Sequence, residues 1–280
     1  MLPYPAIDPV AVSFGPVRLH WYGVMYIAAF LAAWLLGRCR AARPGSGWTA
    51  DQVDDLATWA MLGVVLGARL GYILFYDLDT YLADPLEVFR VWNGGMSFHG
   101  GLVGVLSAAL WWSLRHKKRF LDVTDFVAPL VPPGLFFGRL GNFITGELWG
   151  KVTTVDWGMV FPGAGELPRH PTQLYEAGLE GLLLFTILWV YSRKPRPLGA
   201  VSGLFAVLYA LCRIGVEFFR LPDPQLGYLF FGWVTMGQVL CLPLLLAGVL
   251  LLAHAAYEKR HPSRDRVVLD DGSVVWIKRR

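Results

Sequence analysis

The residues best able to do chemistry are charged groups inside apolar stretches. Arg139 and Asn142 lie three apart in Gly138-Arg139-Leu140-Gly141-Asn142-Phe143-Ile144-Thr145-Gly146-Glu147-Leu148-Trp149-Gly150. On a helix that spacing puts both on one face. The glycines at 138, 141, 146 and 150 remove side-chain bulk and let backbone approach a ligand or a neighbouring helix. Tyr209, Arg213 and Glu217 recur at intervals of four, with Arg220 three further on. A hydroxyl, a cation, an anion and a second cation then share one stripe. Guanidinium groups with an amide donor match the oxygens of a phosphate. In lipid the obvious phosphate carrier is a phospholipid headgroup. The competing readings are a helix-packing motif around a satisfied Arg139 and an Arg213–Glu217 pair that only locks packing.

Two further positions carry the same ambiguity. Arg69 lies in Gly67-Ala68-Arg69-Leu70-Gly71 and reads as a site cation, a residue snorkelling to the outer interface or a structural partner for a carboxylate. His99 follows Asn93-Gly94-Gly95-Met96-Ser97-Phe98 and precedes Gly100-Gly101-Leu102-Val103-Gly104. So many glycines predict a poor, partly unwound helix start with accessible backbone. His99 is the candidate general base or proton shuttle. His170-Pro171-Thr172-Gln173-Leu174-Tyr175-Glu176 is a polar lead-in to a span, and its Tyr175 and Glu176 read as interface anchors or site residues. No metal-ligand spacing, Gly-x-Ser-x-Gly nucleophile or phosphate-binding loop is seen. The chain offers a phosphate site with no nucleophile of its own, and neither metal nor cofactor is expected.

The elements that must position these groups follow from composition. The chain has 280 residues, 55% hydrophobic and 16% charged, against roughly 25% charged in an ordinary soluble domain. That excludes a disordered chain and disfavours a water-soluble enzyme. Seven apolar stretches are predicted to be transmembrane helices, near Trp21–Leu36, Leu56–Tyr76, His99–Leu114, Val123–Phe143, Leu174–Tyr191, Ala200–Phe219 and Met236–Ala256. The net charge of +4 reflects cytoplasmic loops rather than nucleic-acid binding. Of the 25 basic residues, 17 follow the first, third, fifth and seventh stretches. The positive-inside rule then puts the N-terminus outside and the C-terminus in the cytoplasm. Residues 1–256 form the expected transmembrane domain, with 144–171 as a small external lobe and 257–280 as a basic cytoplasmic tail. Within the tail, Asp271-Gly272 is a weak hairpin signal, set against a mobile tail. The first 17 residues hold no Lys or Arg, so no cleavable signal peptide is expected. The three cysteines, Cys39, Cys212 and Cys241, show no paired spacing.

These motifs resemble the prolipoprotein diacylglyceryl transferase family. The most specific match is Gly138–Gly150, similar to the family's Gly-Arg-x-Gly-Asn-Phe-x-Asn-x-Glu-x-x-Gly pattern. Thr145 stands where an Asn is usual and keeps a hydrogen-bonding group. Supporting matches are His20-Trp21-Tyr22-Gly23 with Tyr26, His99-Gly100-Gly101, Arg169 to Glu176, Arg213 to Arg220, and Met236-Gly237-Gln238. The resemblance runs from about Ser13 to Gly248 and leaves the tail outside.

The resemblance implies seven transmembrane helices with an external head in the bacterial inner membrane, and a site towards the periplasm. It implies transfer of the sn-1,2-diacylglyceryl group of phosphatidylglycerol to the lipobox cysteine of a preprolipoprotein. A thioether forms and glycerol 1-phosphate leaves. The substrate thiol is the nucleophile, which accounts for the lack of one here. Arg139 and Arg213 are then expected to hold the growing phosphate charge, with His99 as base or shuttle. Tyr26, Arg69, Asn142, Glu147, Gly150, Tyr209, Glu217 and Arg220 are the expected substrate-binding residues. Glu217 would orient Arg213, and Glu147 would orient Arg139 or the lobe. An arginine-rich site could also lower the thiol pKa without a dedicated base. The rival is a phospholipid or anion transporter, for which intramembrane arginines also serve. Against it stand the odd span count and the lack of an inverted repeat.

Overall fold

The computed structural model describes residues 2–5, 7–15, 17–90, 94–222, 226–260, 264–268 and 274–278. In chain order its regular elements begin with strands β1 (Val10–Phe14) and β2 (Val17–His20) and helices α1 (Trp21–Ala41), α2 (Ala50–Tyr76) and α3 (Leu78–Ala83). A 3-10 turn (Pro85–Phe89), α4 (Phe98–Arg115) and α5 (Phe120–Val127) follow. After a second 3-10 turn (Ala128–Leu130) come α6 (Val131–Thr145) and α7 (Thr172–Glu176). A π segment (Ala177–Leu183) leads into α8 (Leu184–Tyr191), α9 (Ala200–Glu217) and α10 (Met236–Arg260). Strands β3 (Arg264–Val268) and β4 (Val274–Lys278) close the order.

Long apolar runs become helices because lipid offers backbone groups no partner. Among the described residues, six helices are long and apolar enough to cross a membrane: 21–41, 50–76, 120–145, 172–191, 200–217 and 236–260. They overlap six of the seven expected stretches. The remaining stretch is α4, 18 residues long with glycines and a histidine in its first turn. The expected all-helical chain also carries two small sheets, β1 with β2 and β3 with β4. β3 and β4 fall in the tail where a hairpin was weakly signalled, and its Asp271-Gly272 turn lies outside the described residues.

The chain forms two compact units. One comprises residues 1–37, 125–265 and 276–280. In it β1 and β2 pair antiparallel, with Phe14 opposite Val17. The 120–145 span is interrupted at the 3-10 turn, where Pro129, Pro132 and Pro133 remove backbone donors. Asp125 reaches across to α9, accepting from Gly199 N at 2.7 Å and Ser202 N at 2.8 Å. It thereby caps amides that a helix start leaves unpaired. Leu184, Leu188, Val201 and Ala128 form a buried core nearby. The 146–171 segment is held by isolated bridges, Val152 to Arg169 and Gly150 to Arg220 among them. Phe143, Met159 and Phe161 form its buried cluster, against which Tyr4 packs.

The other unit comprises residues 38–124 and 266–275. Its centre is the packing of α2 on α4. A Cβ on Gly63 would meet Gly104 O at 2.6 Å, and one on Gly71 would meet Gly100 Cα at 2.7 Å. Only bare backbones approach this closely, as in small-residue membrane helix pairs. The expected unwinding at His99 therefore does not occur. α4 is helical from Phe98, Ser97 caps it by accepting from Gly100 N at 3.2 Å, and the glycines serve helix contact.

Candidate functional site

The site is built from the fifth and sixth long apolar stretches outward. Glu176 ends α7 and Glu180 lies in the π segment after it. Both side chains are fully buried. The two acids are four apart across the join between α7 and the π segment. Gly181 seats this segment against Phe136 of α6, where a Cβ would stand 2.7 Å from the Phe136 Cβ.

Glu176 is the hub. Arg139 Nε of α6 lies 2.8 Å from its Oε2. Arg213 Nη1 of α9 pairs with its Oε1, and Arg220 Nη1 stands 3.3 Å from the same oxygen. The other amino group of Arg213 meets Glu217 Oε1 at 2.6 Å, one helical turn away. Arg220 Nε lies 3.9 Å from Glu217 Oε1. Glu217 also accepts from Thr235 Oγ1 at 2.7 Å. Thr235 and Gln238 form reciprocal side-chain to backbone bonds at the start of α10, the capping-box arrangement. A Cβ on Gly237 would lie 2.7 Å from Glu217 Oε1, so glycine lets this helix start reach the carboxylate. The positive end of the α10 dipole then favours the Glu217 anion.

Around this hub the structure gathers much of the expected set. Asn142 is buried, and its Oδ1 lies 3.5 Å from Arg139 Nη1. Tyr26 is exposed, with its hydroxyl 3.4 Å from that of Tyr22. Tyr22 in turn packs on Gly141 of α6. Tyr209 packs on the apolar core, its ring stacked on Phe205 at 5.9 Å. Gly150 is pressed between chain segments, where a Cβ would meet Phe219 O at 2.6 Å and His170 O at 2.8 Å. The close approach it permits is to protein backbone. Glu147 is exposed, and its backbone carbonyl accepts from the Gln173 amide. The carboxylate paired with Arg139 is that of Glu176.

Two expected residues belong to the other unit. Arg69 is buried and its guanidinium donates to backbone carbonyls of Val88 at 3.1 Å, Gly94 at 2.5 Å, Gly95 at 3.2 Å and Arg90 at 3.3 Å, as well as Glu87. It also lies over the Tyr81 ring. These contacts tie down the segment before α4 through backbone carbonyls, where the structural reading of the sequence expected a carboxylate. His99 is exposed in the first turn of α4, edge-on to Phe98.

Sequence reading left Glu176 undecided and passed over Glu180. Their signal was two acids four apart inside an apolar run. Outside the spans, His170 Nδ1 lies 3.0 Å from the Tyr175 hydroxyl, and burial lowers the His170 pKa. Among the described residues, no group of three His, Cys, Asp or Glu could hold a metal ion.

A charge cluster in a lipid-facing bundle can do one thing well: present guanidinium groups to an anion in fixed positions. Comparison with known proteins gives the family. The family model described as prolipoprotein diacylglyceryl transferase matches residues 9–254. The match ends before the tail, as the motifs did. The chain is 65% identical over 252 residues to the phosphatidylglycerol–prolipoprotein diacylglyceryl transferase of Nitratidesulfovibrio vulgaris (strain DSM 19637 / Miyazaki F), covering 90% of this chain and 95% of that protein. It is 57% identical over 255 residues to the protein of the same name from Pseudomonas paraeruginosa, covering 91% and 96%. This multi-pass membrane protein belongs to the prolipoprotein diacylglyceryl transferase family.

Proposed function

We propose that this chain transfers the sn-1,2-diacylglyceryl group of phosphatidylglycerol to the lipobox cysteine thiol of a preprolipoprotein. The names of its relatives support the reading. The observation that carries it is the convergence of Arg139, Arg213 and Arg220 on buried Glu176. The thiolate sulfur bonds to the glyceryl carbon as the carbon–oxygen bond breaks. The electron pair stays on the phosphate oxygen, and glycerol 1-phosphate leaves with one more negative charge than the diester had. Arg139 and Arg213 stabilise that charge from positions set before the lipid binds. Asn142 and Arg220 orient the headgroup, and Tyr26, Tyr209, Glu147 and Gly150 complete its surroundings. Glu217 orients Arg213.

The remaining roles rest on the resemblance. His99 accepts the thiol proton, directly or as a shuttle, and Arg69 is a substrate-binding residue. The protein has seven spans in the bacterial inner membrane, counting α4, with the N-terminus outside and the tail in the cytoplasm. The 144–171 segment is the external lobe, and the site opens towards the periplasm. The test incubates purified protein with phosphatidylglycerol and a lipobox peptide and reads peptide mass. A diacylglyceryl-sized gain in wild type, lost in Arg139→Ala and Arg213→Ala, is expected. Lipid flux across liposomes with no covalent product would replace this reading with the transporter.

A further inference from the structure

Glu180 has no place in the roles given above. It is fully buried, and neither carboxyl oxygen has a hydrogen-bond partner among the described residues. Arg213 Nη1 lies 3.9 Å from its Oε1. The other carboxylates of the cluster are better served. Glu176 takes Arg139 and Arg213 in close ion pairs, its Oε1 hydrogen-bonded and its Oε2 held by the Arg139 charge without a hydrogen bond. Glu217 takes Arg213, Thr235 and the start of α10. The charged and titratable groups around Glu180 are Glu176 on its own stretch and Arg139 from α6. Tyr209, Cys212 and Arg213 come from α9, Arg220 lies beyond it, and Cys241 comes from α10. Arg213, the nearest of the cations, is already paired with Glu176 and Glu217.

A second buried anion beside Glu176, without a donor, is costly; the neutral acid avoids both desolvation and repulsion. We propose that Glu180 is held protonated and acts, through Arg213, as a positioning residue that sets the net charge of the arginine cluster. With Glu180 neutral, Arg139, Arg213 and Arg220 face the anions of Glu176 and Glu217 only. One positive charge is left over. A phosphodiester headgroup carries one negative charge and neutralises it. With Glu180 ionised the cluster is already neutral and has no charge to offer the lipid. The match to a phosphodiester rests on the proposed function above; the protonation does not.

Infrared spectroscopy of the full chain in phosphatidylglycerol-free nanodiscs reads the proton directly. A protonated-carboxyl C=O band is expected at neutral pH, absent from Glu180→Gln and displaced in Glu180→Asp. A band that persists in folded Glu180→Gln overturns the proposal, and so does its absence from wild type, whether or not the variants fold. The second readout is KM for phosphatidylglycerol against pH. In wild type it should rise by up to about tenfold per pH unit once the band has titrated away, and Glu180→Gln should lack that rise. A KM in wild type that is flat across the titration overturns the charge match. If wild type forms no diacylglyceryl peptide at any pH, the proposed function fails, and the infrared band still decides the protonation.

Discussion

Glu176 Oε2 and Arg139 Nε meet at 2.8 Å between the start of one span and the end of another. The Glu176 side chain is fully buried, while that of Arg139 keeps 19% of its surface. The anion is therefore the fixed member of the pair and the cation the one within reach of a ligand. Because Arg213 and Arg220 also converge on Glu176, this carboxylate decides whether the arginines can be packed together. Glu176→Gln keeps the size and removes the charge. It should lower stability by about 3–5 kcal/mol, the cost of leaving buried charge without its counter-ion. Unfolding in detergent micelles measures it. A loss below about 1 kcal/mol, typical of exposed pairs, would show that Glu176 is not what holds the cluster.

Arg213 uses its two amino groups on different partners, Nη1 on Glu176 and Nη2 on Glu217. A lysine ammonium is a point charge on a flexible stem and cannot reproduce that fork. Arg213→Lys should therefore retain the charge and lose transfer from phosphatidylglycerol by roughly 10²-fold or more, the scale for losing one placed donor. The diacylglyceryl assay with lipobox peptide reads it. Transfer within a few-fold of wild type would mean that charge alone, without geometry, suffices at this position.

The helices were legible because apolar runs in lipid leave one backbone solution, and α9 starts at Ala200 where the run begins. The stripe Tyr209, Arg213, Glu217 was legible for the same reason, since its members share one helix. Glu176 was harder. Its importance comes from three arginines, on α6, on α9 and just beyond α9, a tertiary fact with no local spacing to announce it. Glu180 gave still less, being marked only by what surrounds it. Gly100 and Gly104 misled for a physical reason. Glycine weakens an isolated helix, but the contact with α2 outweighs that where no side chain could fit.

That contact is testable at Gly63 of α2. A Cβ there would stand 2.6 Å from Gly104 O and 2.8 Å from Ala108 Cβ. Gly63→Ala should force the helices apart and cost about 1–3 kcal/mol, the range for overpacking. Gly178 is the contrast, for nothing lies within 4 Å of its added Cβ. Gly178→Ala should be neutral or stabilising by up to about 1 kcal/mol, the propensity gain in a helix. Thermal unfolding of both variants in the same detergent compares them. Equal effects at the two sites would remove close backbone approach as the reason for the glycines.

The last prediction concerns pH. Trp157 Nε1 donates to the Tyr175 hydroxyl at 2.6 Å, and that hydroxyl lies 3.0 Å from His170 Nδ1. Burial lowers the His170 pKa. The folded protein then binds this proton more weakly than the unfolded chain. Its contribution to stability is fully present above the unfolded value of about 6.5. It declines as pH falls from there through the folded pKa. His170→Gln has no such proton to take up. Unfolding midpoints measured from neutral to mildly acidic pH should fall in wild type and fall less steeply in the variant. Parallel pH dependence in the two proteins would assign the acid sensitivity to other groups and leave His170 as a packing residue beside Phe219, its ring 5.1 Å away.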